Sequence, residues 1–403
     1  MFRPNISVEE TYSDNLDLRD TNKKDDYMTT VRPGILFSNM DAQSGIDFNY
    51  SAGIVMYAKE HDRNYVGHNA FLNAKYLDRS HFNFYLTDTF LRSDEPRERE
   101  YLAPTPYVVQ YQDNIYPVYV LSTQTERHVY WRNVVTPRIE YLYDKKSMLG
   151  LTFRDNIYHT EDPTGEDSRE DYISPSISHW FDARNNLRLE YGFTRGEFDR
   201  NPDLTGHMGS IRYTNQFEEK SSAYAEYVFT ARRFKAPGIN YDIHEPKIGF
   251  TYAFDAAWSL LAQIGYFWKE PETGDRRDGQ TYRLELIRSD VRTSISAILQ
   301  GGYTEDYFTS ENLGFARYNR MILSVMNRFD RRFSAGLSGS IERADYDSDR
   351  RDTIWGTTGT AKYEVLKWLE LALEVSHRER RSSIDTNDYV ENRGMVKLSA
   401  TYY

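Results

Sequence analysis

The sequence contains no cysteine, only 13 prolines and 23 glycines, and no run approaching the ~18 consecutive apolar residues that a membrane-spanning helix needs. The first absence removes disulfides and thiolate chemistry without assigning a compartment. The last excludes helical spans. Mean hydropathy is −0.73, which by itself would describe a water-soluble chain. That description leaves 33 tyrosines unexplained, and 403 residues exceed most single soluble domains. A membrane β-barrel escapes hydropathy scans, because each strand turns only every second residue to lipid.

Catalytic signatures are also missing. The nine histidines show no HExxH spacing, and there is no GxSxG, no P-loop and no GxGxxG between a strand and a helix. Neither an enzyme, a cofactor, a metal nor a nucleic-acid partner is implied. Asp345, Asp347 and Asp349 have the spacing of a calcium loop's first ligands but lack its glycine and distal glutamate, so they read as a solvated loop. Met1 leads directly into Phe2-Arg3-Pro4 with no apolar h-region, so the sequence reads as an exported chain without its signal peptide.

Period-2 alternation, the strand signal, runs from end to end. Trp258, Leu260, Ala262, Ile264, Tyr266 and Trp268 fill every even position of one segment with an apolar or aromatic residue. Ten residues at ~3.3 Å rise and ~40° tilt cover roughly 25 Å, the height of a barrel's lipid-facing band. Trp258 and Trp268 then fall at its two aromatic girdles. The same alternation puts Ala223, Ala225, Tyr227 and Phe229 on one face, and likewise Leu187, Leu189, Tyr191 and Phe193. Val291, Thr293, Ile295, Ala297 and Leu299 repeat it, and Val396, Leu398, Ala400 and Tyr402 close the chain.

Connections also alternate. One set is tight and aromatic-Asp in character: Tyr76-Leu-Asp78, Tyr143-Asp144, Phe181-Asp182, Phe254-Asp255 and Phe329-Asp330. The other is long and charged, near 161–171, 199–206, 232–242, 270–280, 304–313, 344–352 and 380–388. Short periplasmic turns opposite long extracellular loops define the outer-membrane arrangement. The fold class is therefore all-β: one transmembrane antiparallel up-and-down barrel over 1–403, of about 20 strands with 18 or 22 as alternatives. Residues 94–124 form a long loop, extracellular or folded inward, in which 107–116 is a possible extra hairpin. Pro33, Pro137, Pro175 and Pro246 recur a few residues before tight turns, which suggests a bulge or a duplicated hairpin unit.

Ser7-Val-Glu-Glu-Thr-Tyr-Ser-Asp-Asn-Leu-Asp-Leu18, Thr29-Thr-Val-Arg-Pro33-Gly-Ile35, Asp47-Phe-Asn-Tyr50, Tyr57 and Asp62-Arg-Asn64 together resemble a family of outer-membrane β-barrel porins associated with exopolysaccharide and exosortase gene clusters. The resemblance is specific only over residues 7–76. It implies an outer-membrane barrel of a Gram-negative bacterium serving export of a surface polysaccharide, with no catalytic residue to carry over.

Assigning each strand's polar face to the lumen gives a basic set that includes Arg132, Arg138, Arg154, Arg188, Arg212, Arg283, Arg292, Arg320 and Arg328. Against it stand Asp47, Glu140, Glu190, Glu226, Glu285, Glu342, Glu364, Glu370 and Glu374, a basic excess of roughly +8 in a chain of net charge −11. Such a ladder selects anions, whereas Arg–Glu pairs could merely satisfy one another across the wall. Tyr101, Tyr107, Tyr111 and Tyr116 are candidates for constricting the lumen if their loop folds inward; otherwise they cap the rim. The expected function is a conduit for an anionic polysaccharide. A diffusion porin, general or anion-selective, and a non-conducting structural or adhesive barrel are the alternatives. A siderophore-type transporter would carry a plug domain, for which no segment is apparent. Expected partners are outer-membrane lipid and lipopolysaccharide, the polysaccharide, and periplasmic export machinery.

Overall fold

The computed structural model describes residues 1–78, 81–95, 127–309 and 311–402. Twenty antiparallel strands form one closed sheet. They are β1 (Phe2–Ser13), β2 (Asp26–Met40), β3 (Ser44–Tyr57), β4 (Tyr65–Leu77), β5 (Phe82–Ser93), β6 (Tyr130–Leu142), β7 (Met148–Thr160), β8 (Ser168–Trp180), β9 (Asn185–Phe198) and β10 (Leu204–Glu218). Then follow β11 (Ser221–Phe234), β12 (Tyr241–Ala253), β13 (Trp258–Pro271), β14 (Arg277–Ser289), β15 (Thr293–Asp306), β16 (Gly314–Arg328), β17 (Phe333–Tyr346), β18 (Arg351–Leu366), β19 (Leu369–Ser382) and β20 (Tyr389–Thr401). Each strand pairs with the next, and β20 pairs with β1 from Asn5↔Thr401 to Ser13↔Arg393, so no edge remains.

Burial is inverted relative to a soluble protein. Val375 is 69% and Leu337 62% exposed, while Arg380, Asp352 and Glu391 are each 1% exposed. Apolar side chains cover the outside and charged ones line the inside, an arrangement stable only with lipid around it. The outer apolar positions are those read from the alternation: Ile264 and Tyr266 on β13, Leu189 and Tyr191 on β9, Val396 and Leu398 on β20. Asp88 on β5 interrupts this belt, and Asn133 on β6 donates a 2.7 Å hydrogen bond to it.

Tight turns lie on the side of both termini. In several of them a leading Asp caps the chain reversal. The Asp182 carboxylate accepts from the backbone N–H of Arg184 and Asn185, Asp255 from Ala257 and Trp258, and Asp330 from Arg332 and Phe333, all at 2.6–2.9 Å. Asp41 and Asp290 do the same without an aromatic before them. This is the Asx-turn chemistry for which Asp is favoured.

The four prolines do not mark bulges. On β2, the ladder to β3 lapses between Val31↔Ile54 and Gly34↔Ser51 with no change of register, while Pro33 still faces Ile6 of β1. Pro137, Pro175 and Pro246 repeat this against β7, β9 and β13. Each missing N–H costs one ladder position, and the flanking bonds hold the alignment. Strands also run further than their alternation suggested, so the loops contract to 235–240, 272–276, 307–313, 347–350 and 383–388. Conversely β15 starts at Thr293, which leaves Val291 in the preceding turn.

Candidate solute pathway through the lumen

Register fixes which side chains point inward. Arg212 on β10 faces Glu226 on β11, and Glu226 faces Lys247 on β12. These three form ion pairs at 2.8 Å (Arg212–Glu226) and 3.3 Å (Lys247–Glu226). The same construction recurs around the wall: Arg154–Glu170 at 2.6 Å, Arg188–Glu190 at 2.8 Å, Arg283–Glu285 at 2.6 Å, and the pairs Arg138–Glu140 and Arg320–Glu342. Four of these arginines also lie over a tyrosine ring: Arg138 over Tyr85, Arg154 over Tyr172, Arg212 over Tyr224 and Arg320 over Tyr318.

The expected count of roughly +8 omits inward groups of both signs: Arg232, Lys269 and Arg380 face the interior, paired with Glu305, Asp347 and Asp352. Glu9, Glu170, Glu245, Glu305 and Glu391 also project inward, and each lies near a base or a hydroxyl donor. Three of the pairs are markedly unequal in exposure. The side chains of Arg138 and Arg154 are 36% and 39% exposed, against 9% and 8% for Glu140 and Glu170. Arg283 keeps 27% against 10% for Glu285. In these three the guanidinium is the more exposed partner to the lumen.

Arg132, Arg138, Arg154, Arg188, Arg212, Arg283 and Arg320 all occupy inward positions on β6, β7, β9, β10, β14 and β16. Arg328 is the last residue of β16, at the periplasmic rim, and Arg292 lies in the turn before β15, outside the strand ladder. Trp258 and Trp268 lie at opposite ends of β13; Arg288 covers the first ring at 5.6 Å, and His244 stacks on the second at 5.1 Å. Tyr101, Tyr107, Tyr111, Tyr116 and the 107–116 segment lie outside the described residues.

The ends of that long connection are described, and both reach inward. Arg393 of β20 binds Glu95 at 2.7 Å, although β1 to β4 separate β20 from β5 around the wall. Arg127 donates to the Leu16 carbonyl at 2.9 Å and sits 3.5 Å from Asp94, whose carboxylate also accepts from the hydroxyls of Tyr57 and Tyr65.

A second loop crosses the lumen, and the alternation gave no sign of it. The β15–β16 connection carries Phe308 onto Phe198 of β9, with ring centroids 5.3 Å apart. Arg232 of β11 grips Glu305 at 2.7 Å, and the Tyr241 and Tyr307 hydroxyls share a 2.6 Å hydrogen bond. Tyr303, Phe267 and Phe315 complete an aromatic core beneath it. Burial pushes the Tyr307 phenol pKa up, so it remains protonated. The available signal was compositional: Tyr303, Tyr307 and Phe308 are too aromatic for a solvated loop.

Asp345, Asp347 and Asp349 do not converge. Asp345 pairs with Arg351 at 2.7 Å, and Asp347 with Lys269 and Arg277. Among the described residues, no group of acids and histidines could hold a metal ion.

Closed topology, an apolar exterior and a charged, partly obstructed interior define an outer-membrane β-barrel of porin architecture. Residues 302–402 match the family described as "Putative beta-barrel porin 2", and residues 222–343 the family described as "Putative MetA-pathway of phenol degradation". No curated protein matches the chain in sequence. Among solved structures, the siderophore receptor PirA of Pseudomonas aeruginosa aligns with a TM-score of 0.54 at 8% identity, over 100% of this chain and 80% of its own. OpdK of the same organism, solved with vanillate, aligns at 0.44 and 10%, covering 100% and 99%. A BenF-like porin of Pseudomonas fluorescens Pf-5 aligns at 0.45 and 8%, with the same coverage. At these identities the likeness is one of fold.

Proposed function

We propose that the protein is a passive diffusion channel of the outer membrane that favours small anions. The unequal exposure of three of the wall's ion pairs carries this reading, since in each the guanidinium is far more exposed to the lumen than its carboxylate. A pair that is neutral in sum still presents a positive edge to a passing solute. The porin description matched over 302–402 supports a channel. The polysaccharide conduit has no comparable support: the matched family descriptions name no polysaccharide, and the β15–β16 loop lies across the path a polymer would take.

The test is a reversal-potential measurement on single channels under a salt gradient. Anion selectivity that falls in an Arg138→Gln, Arg154→Gln, Arg283→Gln variant is the expected result. Cation selectivity in the parent protein would overturn the reading, and absence of conductance would point to a structural barrel.

A further inference from the structure

One arc of the lumen wall runs over β3 to β5. Here the inward positions are largely uncharged, among them Asn49, Asn69, Asn73, Thr87 and Thr89. In their midst stands Phe71, which is 41% exposed. Its inward direction follows from register. It faces Asn49 on β3 and Thr89 on β5, in step with Tyr65 on β4, whose hydroxyl binds the inward Asp94. The other exposed large apolar side chains among the described residues lie on the outer face, in turns, loops or the terminus, or, for Leu366, on the last residue of a strand.

Asn49 lies directly across from Phe71, and Asn69 and Asn73 lie two residues to either side of it. Among the described residues, none of the three amides hydrogen-bonds to another side chain or to the backbone. Elsewhere on the wall, the arginines and lysines are engaged by carboxylates. Here an exposed aromatic ring stands beside three amides with unspent donors and acceptors, next to a pocket lined by Leu36, Arg3 and Asp47.

We propose that Phe71, Asn49, Asn69 and Asn73 form a subsite for a pyranose sugar. A sugar ring has an apolar C–H face that packs on a phenyl ring, and an equatorial rim of hydroxyls that both donate and accept. The amide is the side chain that answers both roles at once. An aliphatic solute would strand the amides, and a simple anion is better served by the arginines on the facing wall. The proposal rests on the channel reading for its route of access, but sugar binding is measurable without conduction.

The experiment is calorimetric titration of the detergent-solubilised protein with glucose-, galactose- and uronic-acid-based trisaccharides. The parent protein binds at least one. Phe71→Ala weakens that binding about tenfold or more, as loss of one aromatic stack predicts. Asn69→Leu weakens it with the ring intact. Heat-modifiable gel mobility confirms that each variant is folded. Failure of every trisaccharide to bind, or equal binding by Phe71→Ala, overturns the site. Bilayer conductance of the same samples reports on the channel separately, so either reading can fail alone.

Discussion

At the scale of single residues, the turn aspartates and the wall arginines do different work with the same kind of interaction. Asp255, Asp290 and Asp330 accept two backbone N–H groups each, which holds their carboxyl pKa values below the usual carboxylate range. A depressed folded-state pKa contributes stability that is present above the unfolded value of about 3.9 and is lost as pH falls through the lower folded value. Acid below about pH 4 should therefore loosen the periplasmic turns first, read as faster amide exchange at 255–258 and 330–333. Asp255→Ala should abolish that pH step in its own turn while leaving the other turns unchanged. Inside the wall, Gly249 matters because a Cβ there would stand 2.2 Å from the Tyr224 ring. That ring is held by Gln263 at 2.7 Å and lies under Arg212 at 4.4 Å. Gly249→Ala should cost about 1–3 kcal/mol by overpacking, measured as a lower urea midpoint for unfolding from detergent or bilayer.

At the scale of elements, the β15–β16 loop is the feature that shapes the pathway. It is docked by an ion pair, a shared tyrosine hydroxyl contact and an aromatic stack onto a strand six positions away in the sheet. Tyr307→Ser with Phe308→Ser removes the stack and the hydroxyl bond but keeps Glu305 on Arg232. Single-channel conductance should rise in that variant; an unchanged value would mean that the limiting cross-section lies elsewhere. The proline-bearing strands carry a matching lesson. Pro33, Pro137, Pro175 and Pro246 each delete a donor toward one neighbour while the other ladder continues. Their replacement by valine should leave register and conductance unaltered.

At the scale of the whole molecule, the net charge of −11 and the positive lumen edge coexist because strand alternation separates inside from outside. A guanidinium about 4 Å from a passing anion is worth about 1 kcal/mol in bulk-water dielectric, roughly a fivefold change in local occupancy. Several such groups in sequence predict a clear anion preference that weakens with ionic strength, since the Debye length falls from about 10 Å at 0.1 M to about 3 Å at 1 M. Reversal potentials taken at those two salt levels should differ accordingly. A selectivity independent of salt would mean that size, not charge, governs passage.

The amino-acid sequence by itself determined the barrel, its polarity and the faces of its strands. Alternation is a local property, and a closed sheet turns it directly into an inside and an outside, as the outward Ile264 and Tyr266 and the inward Arg212 and Arg283 illustrate. The turn aspartates were legible for the same reason, because their hydrogen bonds run to residues two and three places on. What tertiary structure alone decided is everything that crosses the barrel. The partner of Arg232 is 73 residues away, that of Arg393 is 298 away, and no periodicity connects them. The unequal exposure of the partners in the Arg138, Arg154 and Arg283 pairs was also invisible, because it depends on what packs around each side chain. The exposure of Phe71 belongs with these: as a residue it was one more apolar letter, and only register placed it on the lumen side among uncharged amides.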